Sequence, residues 1–258
     1  MARVKIGPIL LVAACALILP ACHRKSQPKA PAAPAAEALS FARATPDAIV
    51  KLTLAPEIGA HPGLRHELYD DGVKELMSFI QTAQGDHVHL KAKGMPAPAY
   101  TRTLEWSLTA ATPHLLGARQ SWSDFTGGAH PNHGSRGLVW DVTGDHELYR
   151  EDLFVANADQ TRLDGVLCDA IKASKARRPG STEDAESWPC PKWADSDFVL
   201  ARSTVPNRIG GLVFLFDPYS IGPYAEGDYA VTIPLSAFQE ELAPRWADDF
   251  AGAPAKLE

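Results

Sequence analysis

Alternating apolar and polar residues predict strands along most of the chain. In residues 101–109 (TRTLEWSLT), Leu104, Trp106 and Leu108 fall on one face, which is the period-two pattern of a half-buried strand. Residues 211–217 (GLVFLFD) are apolar up to the final Asp, which is typical of a central strand covered on both faces. Further strands are expected at 48–54, 115–122, 137–142, 198–200 and 229–233.

Apolar residues recur at helical spacing in three other segments. The pattern from Leu64 to Gln84 predicts a helix, although Gly72 weakens its middle. A short terminal helix is expected at 235–242. Residues 160–175 predict a helix with one apolar stripe, made of Leu163, Leu167, Ala170 and Ile171, and Cys168 lies beside it. These elements together predict an α+β fold in which helices pack on a mixed or antiparallel sheet.

The first 21 residues predict an export signal. Arg3 and Lys5 give a short positive start, and an apolar run of about a dozen residues follows from Ile9 to Leu19. This run is too short to span a bilayer comfortably. Residues 1–21 are therefore set apart from the folded protein.

The four residues Leu19-Pro20-Ala21-Cys22 resemble a bacterial lipobox, in which small residues precede an acylated cysteine. We expect Cys22 to carry lipid and to become the mature N-terminus; a chance cysteine behind an ordinary signal peptide is the alternative. Several acyl chains on one residue anchor a protein effectively permanently. His23 follows the cysteine instead of Asp, which favours the outer membrane, with the protein facing the periplasm.

A tether and two domains are expected after the signal. Residues 23–38 (HRKSQPKAPAAPAAEA) are rich in Pro and Ala without a large apolar residue, so residues 22–40 predict a flexible spacer. Residues 41–114 then predict a small N-terminal α/β module, and residues 115–258 a second domain.

The charge balance of the folded part is acidic. From Glu37 onward, 20 Lys and Arg residues face 31 Asp and Glu residues, a net charge of −11. Such a surface repels phosphate backbones, which argues against nucleic acid as a partner. A basic partner would be attracted.

Two cysteines remain in the folded part. Cys15 leaves with the signal peptide and Cys22 is assigned to lipid, so Cys168 and Cys190 stay behind in an oxidising compartment. We expect them to form a disulfide. A redox or metal pair is the alternative, which the wide spacing and the absence of a CxxC motif disfavour.

Two loops carry the least ordinary sequences. The first, residues 127–134 (GGAHPNHG), combines paired glycines with a proline; the second, residues 217–227 (DPYSIGPYAEG), presents tyrosines between prolines and glycines. Rigid loops of this kind suit recognition, although the same tyrosines could instead close the domain core. If a sheet brings both loops to one end, the candidate binding residues are Gly128, His130, Asn132, Asp217, Tyr219 and Tyr224.

The motifs GGAHPN and FDPYSIGPYAEGDYAVTIPLSAF closely resemble the extracellular domain of the RsiV type over residues 115–242. That domain occurs in a lysozyme-sensing anti-sigma factor, in a peptidoglycan deacetylase and in bacterial lipoproteins. The family segment has Ala where Gly222 stands and often Ala where Glu226 stands. The chain shows no transmembrane helix, anti-sigma segment or separate deacetylase domain, so the resemblance does not imply signalling or deacetylation here.

Signals for catalysis or a cofactor are weak. His130 and His133, with Asp124 and Asp141, supply ligand types that Zn²⁺ accepts, but no HExxH motif accompanies them, and no GxSxG elbow predicts a serine hydrolase. We therefore name no catalytic residue, metal or cofactor. The three strand tryptophans, Trp106, Trp122 and Trp140, are expected in the core rather than on a sugar-stacking surface, and Trp188 and Trp193 are expected beside the disulfide.

The resemblance implies a lipid-anchored cell-envelope binding protein that recognises a lysozyme-like muramidase, for envelope protection or sensing. The first alternative is a peptidoglycan-binding or wall-modifying module with an undetected hydrolase activity, and the second is a purely structural lipoprotein. The salt dependence of binding distinguishes the two binding hypotheses. Electrostatically steered binding of a basic protein weakens as ionic strength rises, whereas stacking on a glycan does not.

Overall fold

Residues 39–181 and 188–255, together with Met1, are described by a computed structural model. Most of the predicted export signal 1–21, the lipidation residue Cys22 and all but the end of the tether 22–40 lie outside the described residues. In the described part of the chain, no helix is long and apolar enough to cross a membrane.

Six strands form the first sheet in chain order, and the helix α1 (Pro62–Ala92) lies between the second and third of them. Its strands are β1 (Leu39–Ala44), β2 (Ala48–Leu54), β3 (Tyr100–Ala111), β4 (Leu115–Phe125), β5 (Asn132–Asp141) and β6 (His146–Leu148). Only the β2–β3 pair is parallel among these pairings, because α1 returns the chain to the starting edge. β1 begins at Leu39, two residues inside the segment predicted as tether.

Three strands form the second sheet, all antiparallel. They are β7 (Phe198–Arg202), β8 (Ile209–Phe216) and β9 (Tyr229–Pro234). Two helices precede them, α2 (Arg150–Leu153) and α3 (Gln160–Ala176), and single turns of 3₁₀-helix occur at Pro56–Ala60, Tyr224–Glu226, Leu235–Ala237, Gln239–Glu241 and Pro244–Asp249. The α+β prediction is confirmed.

Apolar periodicity explains how the first sheet is covered. Alternate residues of β2, from Ala48 to Leu54, are buried, as the strand pattern requires. They pack against the buried stripe of α1, which includes Leu64, Leu68, Leu76 and Ile80. The boundary predicted between residues 114 and 115 lies in the turn between β3 and β4, two paired strands of this sheet.

A second core lies between α3 and the inner face of the second sheet. Trp193 is completely buried there, and its ring lies 4.5 Å from that of Phe214 and 5.8 Å from that of Phe154. The predicted disulfide between Cys168 and Cys190 is confirmed, and it ties α3 to the segment that carries Trp193.

Two glycines let the second sheet approach the first. A Cβ atom on Gly137 of β5 would lie 1.9 Å from the carbonyl oxygen of Phe198, and one on Gly117 of β4 would lie 2.8 Å from Cβ of Leu200. Strand β7 therefore crosses β4 and β5 at two positions without side chains, which lets the backbones of the two sheets come close together.

Two local predictions need correction. The helix expected at 235–242 is a pair of 3₁₀ turns, because the backbone of Phe238 between them, with φ −140° and ψ 9°, is outside the helical region. The first loop is shorter than expected, since β5 begins at Asn132 and the end of the GGAHPNHG sequence belongs to that strand.

Candidate functional site

The two unusual loops meet, although they join strands of different sheets. The first connects β4 to β5, and the second connects β8 to β9. The Tyr224 hydroxyl donates a hydrogen bond of 2.8 Å to the carbonyl oxygen of Pro131, and its ring stacks on His130 with the centroids 4.0 Å apart. The edge of the His133 ring approaches Tyr224 at 5.7 Å. The expected proximity is therefore present, but contact between two sheets produces it.

Asp217 links the second loop to the backbone of β5. Its Oδ1 accepts a 2.7 Å hydrogen bond from the backbone N–H of Ser135. A Cβ atom on Gly134 would lie 2.1 Å from Oδ2 of the same carboxylate, so this close approach requires glycine. Burial raises the pKa of the Asp217 carboxyl, and the N–H of Ser135 acts in the opposite direction.

A cleft of about 420 Å³ opens where the loops meet. We call it the two-loop cleft, and its lining residues are Trp122, Asn132, His133, Asp217, Pro218, Tyr219, Ser220 and Tyr224. The Tyr219 side chain is 57% exposed, and its backbone φ of 71° is in the left-handed region, which is uncommon for a residue other than glycine. Its N–H donates to the carbonyl oxygen of Gly222 at 3.0 Å, which holds the tyrosine outward on a closed turn.

A charged layer supports the cleft from below. The guanidinium of Arg102 lies 5.6 Å from the ring centre of Trp122 and pairs with Asp124 at 3.1 Å. Asp124 also accepts a 3.4 Å hydrogen bond from the side-chain amide of Asn132. Trp122 is only half-buried, in contrast to the core tryptophans Trp106 and Trp140. The expectation of a core position is therefore confirmed for those two residues, whereas Trp122 is partly buried and packs at the margin of the same core.

A buried ion pair anchors the second loop to α3. Lys175 Nζ donates a 2.5 Å hydrogen bond to the carbonyl oxygen of Ile221 and lies 3.3 Å from Oε2 of Glu226. The hydroxyls of Tyr229 and Ser181 bond to the same carboxylate. With several donors around it, the buried carboxylate is well compensated, so the loop has a fixed base.

The structure brings most of the predicted binding residues together. Asn132, Asp217, Tyr219 and Tyr224 line the two-loop cleft, and His130 stacks beside it. Gly128 is exposed, and no atom lies within 4 Å of the position that its Cβ would take. Sequence reasoning did not select four residues that line or support the cleft, namely Trp122, His133, Lys175 and Glu226. It expected Trp122 in the core and considered His133 only as a metal ligand. The apolar stripe of α3 gave no reason to select Lys175.

The chemistry of the cleft favours binding. Aromatic faces, one carboxylate and one amide converge there, which supplies contact area together with a few directional hydrogen-bonding groups. Among the described residues, no three His, Cys, Asp or Glu side chains are grouped so that they could hold a metal ion.

Comparison with known proteins finds a family match for part of the chain. Residues 151–236 match the family DUF3298, which is described as a protein of unknown function. That segment contains α2 except its first residue, all of α3, the whole second sheet and the second loop, and it excludes the first loop. No curated protein matches the chain.

Two crystal structures share the fold. A member of the DUF3298 family from Bacteroides fragilis NCTC 9343 aligns with a TM-score of 0.57 and 15% identity, over 83% of this chain and 95% of its own. A DUF3298 family protein from Pseudomonas aeruginosa PAO1 aligns with a TM-score of 0.56 and 17% identity, over 85% of this chain and 95% of its own. The arrangement of both sheets is therefore similar to that of solved DUF3298 proteins.

Proposed function

We propose that this protein is a lipid-anchored cell-envelope binding protein that recognises a lysozyme-like muramidase through the two-loop cleft. The observation that carries the proposal is the meeting of two loops from separate sheets around an exposed tyrosine and a half-buried carboxylate. The resemblance of both loops to the RsiV-type domain supplies the class of partner. The net charge of −11 beyond residue 36 supports a basic partner.

Tyr219→Ala is expected to weaken binding of purified lysozyme by at least about 2 kcal/mol, roughly thirtyfold in Kd, if this tyrosine is the central aromatic contact. Its side chain is mostly exposed, so we expect the melting temperature to stay unchanged. Tyr149→Ala is the matched control, since Tyr149 is 62% exposed and does not line the cleft. Titration calorimetry and thermal melting of the three proteins check this. Equal lysozyme affinity of Tyr219→Ala and the parent protein would contradict the assignment.

Peptidoglycan is the second candidate ligand, and the half-buried Trp122, which lines the cleft together with Tyr219 and Tyr224, favours it. Adjacent aromatic faces can stack on sugar rings, and such stacking depends little on salt. Steered association with a basic protein should instead slow steeply between low and physiological ionic strength. Binding to purified sacculi that is indifferent to salt and lost in Trp122→Ala, with no binding to lysozyme, would favour this alternative.

The membrane anchor is proposed on the sequence of the lipobox alone. We expect mass spectrometry of the membrane fraction to find an N-terminal Cys22 peptide that carries acyl chains. Cys22→Ser should move the protein from the membrane fraction to the soluble fraction. The same distribution for the variant and the parent protein would refute both the lipid anchor and the outer-membrane location.

A further inference from the structure

The outward face of the second sheet is apolar. Val199, Ala201, Val213 and Leu215 form a buried cluster that is separate from both main cores. A sheet face that met only water would carry polar residues at these alternate positions. Strand β8 is instead buried along its whole length, on both faces. This face is therefore suited to apolar contact.

A groove runs between this face and β3 of the first sheet. Its narrow part holds about 380 Å³ and is lined by the apolar cluster together with Ala230 and Thr232. A wider part of about 610 Å³ extends toward the turn between β7 and β8, and Leu108 and Arg202 line both parts. These volumes fall within the roughly 300–1,000 Å³ of ordinary ligand pockets.

The wide part of the groove carries cationic groups that lack an acidic partner. Arg202 donates from Nε to the carbonyl oxygen of Thr109 at 3.1 Å, and Arg208 donates from Nη1 to that of Asn207 at 3.1 Å. Among the described residues, neither arginine lies within 4.0 Å of a carboxylate, although Glu57 also lines this part. In a protein with an excess of acidic residues, such a pair favours an anionic ligand.

The narrow part of the groove is differently charged. Arg119 is the arginine at its far side, and it donates to the Ser135 hydroxyl at 2.6 Å and lies 3.7 Å from Asp228. Its charge is thus already partnered. Among the described residues that line the groove, the cationic groups without an acidic partner are therefore Arg202, which lines both parts, and Arg208, which lines the wide part alone.

We propose that this groove binds a free fatty acid. The acyl chain lies against Val199, Val213 and Leu215, and the carboxylate accepts hydrogen bonds from Arg202 and Arg208. This site is distinct from the two-loop cleft and does not depend on the function proposed for it. The ligand is an anionic chain because the smaller part of the groove has a mainly apolar lining and, among the described residues that line the groove, the charges without an acidic partner are positive.

Titration of the full chain with dodecanoate, below its micelle concentration, tests the proposal. We expect saturable binding of one dodecanoate per protein, weakened about tenfold in Arg202→Gln, since one charge-assisted hydrogen-bond donor is lost. Dodecanol should bind Arg202→Gln and the parent protein equally. Arg65→Gln is the control, because Arg65 is exposed on α1 and outside the groove.

A blocking variant separates the groove from general adsorption. Ala230 is exposed on β9 and lines the narrow part, so Ala230→Trp should fill it without disturbing the core. We expect this variant to lose dodecanoate binding while it keeps its melting temperature and its affinity for lysozyme. Absence of saturable binding, equal weakening in Arg65→Gln, full binding in Ala230→Trp, or binding to phospholipid vesicles alone would each overturn the proposal.

Discussion

Trp193→Ala is expected to lower the free energy of unfolding by about 3–5 kcal/mol. The Trp193 side chain has no exposed surface, and it contacts Phe154, Phe214 and Phe238 between α3 and the second sheet. Truncation removes a large apolar area from the core. It also leaves a cavity that the three surrounding rings cannot fill by moving inward. Urea unfolding followed by circular dichroism measures the change.

Two control variants test why Trp193→Ala lowers the free energy of unfolding. Trp188→Ala removes the same side chain from a half-buried position two residues before the disulfide cysteine, and we expect a much smaller change. Trp193→Phe should lose less than Trp193→Ala. The buried indole N–H of Trp193 has no hydrogen-bond partner among the described residues, so its removal leaves no acceptor unpaired there. Equal losses in Trp188→Ala and Trp193→Ala would show that Trp193 does not organise the second core.

The double variant Cys168→Ala/Cys190→Ala is expected to be less stable by roughly 3 kcal/mol. The bond closes a loop with a sequence separation of 22 residues, so its loss increases the entropy of the unfolded chain. The folded structure should persist, because Asp164 on α3 still accepts a hydrogen bond of 2.8 Å from the N–H of Trp193 and pairs with Lys192 at 3.0 Å. The hydrogen bond from the backbone N–H of Trp193 lowers the pKa of the Asp164 carboxyl.

Unfolding with and without a thiol reductant provides the measurement for the disulfide. The reductant should lower the melting temperature of the parent protein and leave that of the double variant unchanged. A parent protein that melts identically with and without reductant, while peptide mapping shows the bond to be broken, would contradict the expected stabilisation.

Strand positions were predictable because each follows from local alternation. Residues 48–54 and 101–109 coincide with β2 and β3, since one face of each strand packs on α1. The unbroken apolar run at 211–217 correctly indicated the central strand β8, which is buried on both faces. Strand β1 escaped prediction because it is an edge strand with mostly exposed residues, so its alternation is weak.

The base of the candidate site was not predictable in the same way. Periodicity tells which face of α3 is buried, and Lys175 on that face has no apolar character to mark it. Its burial depends on a carbonyl and a carboxylate contributed by the loop 46 to 51 residues later in the chain. Contacts of this range are properties of the assembled fold, and local patterns do not encode them.

The two departures from the RsiV-type segment have a shared structural reason. A Cβ atom on Gly222 would lie 2.4 Å from Oε2 of Glu226 and 3.2 Å from Nζ of Lys175. The Glu226 carboxylate thus occupies the space that a methyl group at position 222 would need. Glycine at 222 and glutamate at 226 therefore fit each other, whereas alanine at 222 requires this carboxylate to move.

The close approach of β7 to Gly117 and Gly137 has a consequence for the order in which strands assemble during folding. Gly137 and Phe198 are 61 positions apart in the chain. The surface on which β7 packs forms only when β4 and β5 are paired. A contact of this range closes a long loop before any burial compensates for the lost chain entropy. We therefore expect the antiparallel strands β3, β4 and β5, which are joined by short connections, to pair before β7 docks on them.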